Sequence, residues 1–117
     1  MADFKELLKV DDLKNGQMKA YTTEGREVLV ARVGGEFFAA DNRCPHFGAK
    51  LAEGKLDGTV LTCPKHASQF DLKDGHVVRW TDWSGVKLGI AKVFKSPRPL
   101  VVYATKVEGD KVLVRPT

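Results

Sequence analysis

Hydrophobic positions along the chain fall in short runs separated by turn-forming residues, which is the pattern of an all-β protein. Phe4, Leu7, Leu8 and Val10 alternate incompletely and predict a first strand, with Asp11-Asp12 capping a short turn before Asn15-Gly16. Met18 to Thr23 predicts a second strand that ends at the turn Glu24-Gly25. Val28 to Val33 is apolar and rich in β-branched side chains, so it reads as a buried strand. Gly34-Gly35 predicts a two-residue turn of the primed type, in which both central residues take positive φ, and Glu36 to Ala40 returns as the partner strand.

Leu51 to Gly54 reads as connector. Lys55 to Leu61, broken at Asp57-Gly58, predicts a short hairpin. Gln69 to Leu72 and His76 to Val78 flank Asp74-Gly75 and predict another. The stretch from Val86 to Phe94 fits strand alternation at 86, 88 and 90, and equally a helical face formed by Ile90, Val93 and Phe94; both readings stay open. Pro97-Arg98-Pro99 ends it in extended form. Leu100 to Thr105 and Lys111 to Val114 make a last hairpin across Glu108-Gly109-Asp110. The expected architecture is an antiparallel sandwich or barrel base built from strands at about 4–41 and 100–114. A small subdomain at about 42–79 is inserted in it, followed by an extra loop at about 79–99.

At 117 residues the chain is one domain, with no internal repeat and no low-complexity tract. Its net charge of +4 mildly favours an acidic partner. Basic residues alternate with Asp and Glu and form no arginine-rich stripe, which argues against nucleic-acid binding. No apolar run approaches the ~20 residues that span a bilayer. Met1-Ala2-Asp3-Phe4-Lys5-Glu6 lacks the basic-then-apolar form of a secretory signal. The expectation is a soluble, cytoplasmic protein with no membrane partner.

The candidate chemistry lies between residues 44 and 66. Cys44-Pro45-His46 is followed by sixteen residues and then Cys63-Pro64-Lys65-His66. These are the only two cysteines and two of the three histidines. A single Cys44–Cys63 disulfide is the weaker reading in a reducing cytosol, and it leaves the adjacent histidines unexplained. Two thiolates and two imidazoles make a complete metal shell. A structural zinc site is one possibility, although Cys2His2 zinc sites usually group the cysteines in one cluster and the histidines in the other. The second is a [2Fe–2S] cluster with both thiolates on one iron and both imidazoles on the other, which suits two loops that each supply one Cys and one His.

The Cys-x-His, sixteen-residue, Cys-x2-His spacing with a proline after each cysteine resembles the Rieske iron–sulfur family, and the likeness extends from about Phe4 to Val114. It implies the Rieske fold and one [2Fe–2S] cluster per chain, held by Cys44, His46, Cys63 and His66. It also implies solvent-facing imidazole edges as the exit for the electron, and ring N–H groups that titrate with redox state. Exchanging two Cys for two His raises the potential from about −400 mV to a range of roughly −150 to +300 mV. High-potential members carry a Ser and a Tyr two and four residues after the last ligand. Here those positions are Ser68 and Phe70, which predicts an intermediate or low potential. Respiratory members brace the loops with a disulfide whose positions are Ala49 and Lys65 here, so that brace is absent. Pro45 and Pro64 stiffen the loops, and Gly48 lets main-chain N–H groups approach the sulfurs.

The resemblance implies a carrier, not an enzyme, that passes single electrons from a reductase to a terminal oxygenase. An electron-transfer subunit of a larger, nitrite-reductase-like oxidoreductase is the alternative, with a zinc-stabilised interaction module further behind. A catalytic oxygenase would need a second, mononuclear iron site of two His and one carboxylate, and the chain lacks the histidines for it. His76 is read as a surface or strand residue, Trp80 and Trp83 as seals at a core edge, and Pro97 and Pro99 as parts of a loop that shields the cluster.

Overall fold

The computed structural model describes residues 4–23, 25–44, 50–64, 68–79 and 99–115. Ten strands follow in chain order among these residues: β1 (Lys5–Lys9), β2 (Gln17–Thr23), β3 (Arg26–Val33), β4 (Glu36–Asp41), β5 (Lys55–Asp57), β6 (Val60–Thr62), β7 (Gln69–Asp71), β8 (Val77–Arg79), β9 (Val102–Glu108) and β10 (Lys111–Arg115). They form a six-stranded sheet in the order β1-β10-β9-β4-β3-β2 and a separate four-stranded sheet in the order β5-β6-β7-β8. Every pairing is antiparallel. The larger sheet curls until its end strands β1 and β2 come into contact, giving a near-closed barrel. The all-β class and the barrel-like base with a smaller inserted unit are as the sequence predicts.

Strand β3 explains the shape. Val28, Leu29, Val30 and Ala31 are all fully buried. Side chains alternate across a strand, so such a run must have a core on each side. Val28 and Val30 face the barrel interior with Leu8, Leu13, Phe37, Ala39, Tyr103, Val112 and Val114. Leu29 and Ala31 face a second core shared with the small sheet, together with Ala40, Leu61, Phe70 and Leu72. Strand β4 splits the same way, with Phe37 and Ala39 on one side and Phe38 and Ala40 on the other. Strands β3 and β4 are therefore a wall common to two cores, and the small sheet is packed against the outside of the barrel.

The turns bear out their sequence signals. Gly34 and Gly35 have φ of 59° and 82°, as a primed turn requires between Val33 and its partner Glu36. Gly58 and Gly109 take φ of 57° and 61° between β5 and β6 and between β9 and β10. Four boundaries differ from expectation. Val10 leaves β1 for a 3-10 turn, Val10–Asp12, because the Asp12 carboxylate accepts the Lys9 N–H at 2.8 Å. The expected connector at 51–54 contains a 3-10 turn, Leu51–Glu53. The β7–β8 connection has five residues instead of a two-residue turn at Asp74-Gly75, closed by Gly75 N–H to Asp71 O at 2.7 Å and Asp71 N–H to His76 O at 3.0 Å. The last hairpin begins at Val102, since the N–H of Leu100 is taken by Gly75 O at 2.8 Å. The open choice between strand and helix for 86–94, and the assignments for Trp80, Trp83 and Pro97, lie outside the described residues.

Candidate metal centre

Two loops lead to the predicted ligands, and each is fixed where it leaves the scaffold. The first departs from the end of β4. Asn42 N–H donates to Glu27 O at 3.2 Å on β3, and its carbonyl accepts the Leu51 N–H at 3.0 Å from the far side of the loop. Arg43 and Lys50 form an isolated antiparallel bridge one residue further into the loop on each arm. The second loop departs from β6 and returns to β7. Its base is closed by Cys63 N–H to Ser68 O at 2.7 Å, next to the Thr62–Gln69 pair, where Gln69 Nε2 donates to Thr62 Oγ1 at 3.2 Å.

The two bases meet through Gly54. A Cβ on this residue would lie 2.0 Å from the carbonyl oxygen of Thr62, the residue before Cys63. Only glycine lets the chain leaving the first loop pass so close to the strand entering the second. Leu51, Leu61, Phe70, Leu72 and Leu100 complete the buried cluster that receives both cysteines.

Cys44 and Cys63 are each 2% exposed, and neither is in a disulfide, so the disulfide reading does not hold. The two thiols come from different loops and are members of one apolar cluster. His46 and His66, together with Pro45, Gly48, Ala49 and Lys65, lie outside the described residues. Among the described residues no group of three or more His, Cys, Asp or Glu gathers around a metal position. Two sheltered, unbridged thiols in one apolar cluster fit the thiolate half of a mixed Cys/His cluster, since thiolates ligate and an apolar wall keeps water from them.

Ser68 and Phe70 are both fully buried where the second loop returns to β7. Phe70 stands between Leu61 and Val77 across the small sheet and is one of the cluster residues around the cysteines. His76 is exposed at the tip of the β7–β8 loop, where its Nδ1 and the Asp74 carboxylate are 2.6 Å apart, as expected for a surface histidine. The His76 main-chain N–H, donating at 2.9 Å, and then this ring contact hold the Asp74 carboxyl below its usual range.

Two features at the foot of the first loop are absent from the sequence reading. One is Asn42, a buried polar residue whose only sequence signal is its place two positions before Cys44. The other is an open groove of about 540 Å3 between Arg26, Asp41, Arg43 and Val101. Burial there raises the Asp41 carboxyl above its usual range, against the opposing pull of Arg26, Arg43 and the main-chain N–H groups of Arg43 and Asn42.

The chain belongs to the Rieske [2Fe-2S] domain family, whose family model matches residues 3–95. Its cofactor is a single [2Fe–2S] cluster, which removes the zinc reading. The ferredoxin component of biphenyl 2,3-dioxygenase from Rhodococcus jostii is 35% identical over 103 residues, 88% of this chain and 83% of that one. Among solved structures, the ferredoxin of carbazole 1,9a-dioxygenase from Nocardioides aromaticivorans superposes with a TM-score of 0.80 at 27% identity, covering 97% of this chain and 98% of that one. A chain in a complex of reduced oxygenase and oxidised ferredoxin in carbazole 1,9a-dioxygenase matches with a TM-score of 0.77 at 26% identity, over 96% of this chain and 92% of that one.

Proposed function

We infer that this protein is a one-electron carrier, a ferredoxin component that takes electrons from a reductase and delivers them to a terminal oxygenase. The observation that carries the reading is the family match over residues 3–95, joined to near-full-length similarity to proteins named as ferredoxin components of dioxygenases. When bound, the cluster supplies a reversible one-electron couple and no bond chemistry. Everything else is the work of the chain. Cys44 and Cys63 would hold one iron as thiolates, and His46 and His66 would hold the other as neutral imidazoles. The loop-base bonds keep both cysteines in one position, and the apolar cluster around them excludes water.

The whole chain is read as one Rieske domain, with base strands at about 4–41 and 100–114, a cluster-binding subdomain at about 42–79 and an extra loop at about 79–99. Among the described residues no helix is long and apolar enough to cross a membrane. A cytoplasmic location suits two thiols kept free of a disulfide.

The test is an electron paramagnetic resonance (EPR) spectrum of the dithionite-reduced protein, taken beside its visible spectrum and an iron assay. A red-brown protein with about two irons per chain and a rhombic signal of low average g supports mixed Cys/His ligation. A colourless, EPR-silent protein overturns it.

A further inference from the structure

Asn42 and Ser68 are the buried polar residues among those described, and Asn42 is 3% exposed. Asn42 lies between the end of β4 and Cys44, and it makes three directed contacts. Its N–H is bonded to Glu27 O on β3, its carbonyl accepts the Leu51 N–H, and its Oδ1 accepts the Ala52 N–H at 2.8 Å. The last contact is explained by the start of the Leu51–Glu53 turn. A helical first turn leaves N–H groups without intrahelical partners, and the residue before it normally caps one with its side chain. Lys50, which occupies that place, makes no such bond. Asn42 therefore caps the turn from across the loop, joining the residue that enters the loop to the residues that leave it.

We propose that Asn42 is the positioning residue of the first cluster loop: its side-chain amide fixes where the Cys44 thiolate stands relative to Cys63. This rests on the reading of Cys44 as a ligand. The main-chain bond to Leu51 and the Arg43–Lys50 bridge pair the two arms of the loop up to the start of the turn, but they do not reach the turn's second residue. The Oδ1 contact supplies an attachment one residue beyond Leu51, inside the turn itself, and so fixes the direction in which the turn leaves the loop. Leu51 is fully buried in the cluster that also holds both cysteines, so an error in the turn becomes an error in sulfur position. Lys50, the residue before the turn, has no side-chain acceptor that could replace Oδ1.

The proposal is tested with Asn42→Ala and Asn42→Asp. A Val30→Ala variant, changed in the barrel core, serves as a control for general destabilisation. Asn42→Ala is expected to broaden the EPR lines of the reduced cluster, because sulfur positions become heterogeneous. It should also release iron to a chelator about tenfold faster, as losing one bond to a partly buried donor implies, and lose hydrogen-exchange protection at Leu51 and Ala52. Asn42→Asp keeps the acceptor, so line width and protection should return to those of the parent protein, at a lower potential from the added negative charge. Val30→Ala should lower the melting temperature without broadening the lines.

Parent-like line width and iron release in Asn42→Ala would overturn the proposal. If Asn42→Ala does not load, Asn42→Asp decides: narrow lines uphold the role and broad lines refute it. An unmodified protein with no cluster signal would instead be a failure of the electron-carrier reading.

Discussion

The main-chain N–H of Cys63 donates to the carbonyl of Ser68 at 2.7 Å, closing the second loop at its base with a bond that does not involve the thiol. With Cys63 as the proposed ligand, loop closure and ligation are separate properties of this residue. Cys63→Ser should keep the β6–β7 ladder and lose the cluster, and Cys44→Ser should do the same through the other loop. The expected result is a colourless protein, with iron at background and a β-rich far-ultraviolet circular dichroism spectrum close to that of the parent. Both variants should melt at lower temperature, because a bound metal group stabilises the fold that binds it. Retention of the visible spectrum in either one would remove that cysteine from the ligand set.

The sequence made most of this legible because its signals are local. Gly34-Gly35 predicts a turn through a steric requirement of two residues, and Val28 to Val33 predicts burial through its own composition. Burial of that strand on two sides was not legible, since it depends on β4 and the small sheet being packed on opposite faces. Gly54 and Gly75 look like ordinary connector glycines. Their importance comes from Thr62 and Leu100, residues 8 and 25 positions away, whose carbonyls occupy the space of a Cβ. Asn42 was missed for the same reason, because its partners Glu27, Leu51 and Ala52 are gathered only by the fold. The ligand pattern lay at the other extreme, with four chemically distinctive residues in 23 positions.

Glycines 34 and 75 permit a graded test of that distinction. Both have positive φ, 59° and 83°, but a Cβ on Gly34 meets nothing within 4 Å, whereas one on Gly75 would lie 2.0 Å from Leu100 O. Gly34→Ala should cost only the conformational penalty, about 1 kcal/mol. Gly75→Ala must also push away the segment that re-enters the barrel, breaking the Leu100 N–H to Gly75 O bond, and should cost at least about 2–3 kcal/mol. Urea unfolding of the two variants measures the difference. Equal losses would mean that the Gly75–Leu100 contact is readily relaxed.

Arg32 closes the barrel at the end of β3 away from Asp41. Its Nη1 donates to Val10 O at 3.1 Å and Leu13 O at 2.9 Å, and its guanidinium lies 5.3 Å from the centre of the Phe37 ring. These contacts tie the turn after β1 to β3, where the two ends of the sheet meet. Arg32→Met keeps the aliphatic stem over the ring and deletes both bonds, so about 2–3 kcal/mol of stability should be lost. Arg32→Lys, with a single donor head, should fall between. The cluster spectrum and potential should remain those of the parent, because the other end of β3 and β4 carries the ligand loop. A shifted potential in Arg32→Met would show that the barrel end and the cluster are mechanically coupled.

Asp41 and Asp74 should give the stability profile opposite slopes in acid. Burial raises the folded-state value of Asp41 above its ordinary 3.8, with Arg26 and Arg43 pulling the other way. The folded protein then holds that proton more tightly than the unfolded chain. The contribution of Asp41 is fully present below 3.8 and is lost as pH rises through the raised value. Asp74 is the reverse. His76 lowers its value below 3.8, so its contribution is present above 3.8 and disappears as pH falls through the lowered value. Asp41→Asn keeps a side-chain acceptor beside Arg43 and removes the partly buried charge. It should be slightly more stable than the parent near neutrality, with the gain shrinking toward pH 3.8 and below. Asp74→Asn should be slightly less stable near neutrality, with its deficit vanishing in stronger acid. Denaturation midpoints of each variant relative to the parent, taken from about pH 3 to 7, measure both. An Asp41→Asn protein that is less stable than the parent at pH 7 would mean that the attraction of Arg26 and Arg43 outweighs the cost of burial.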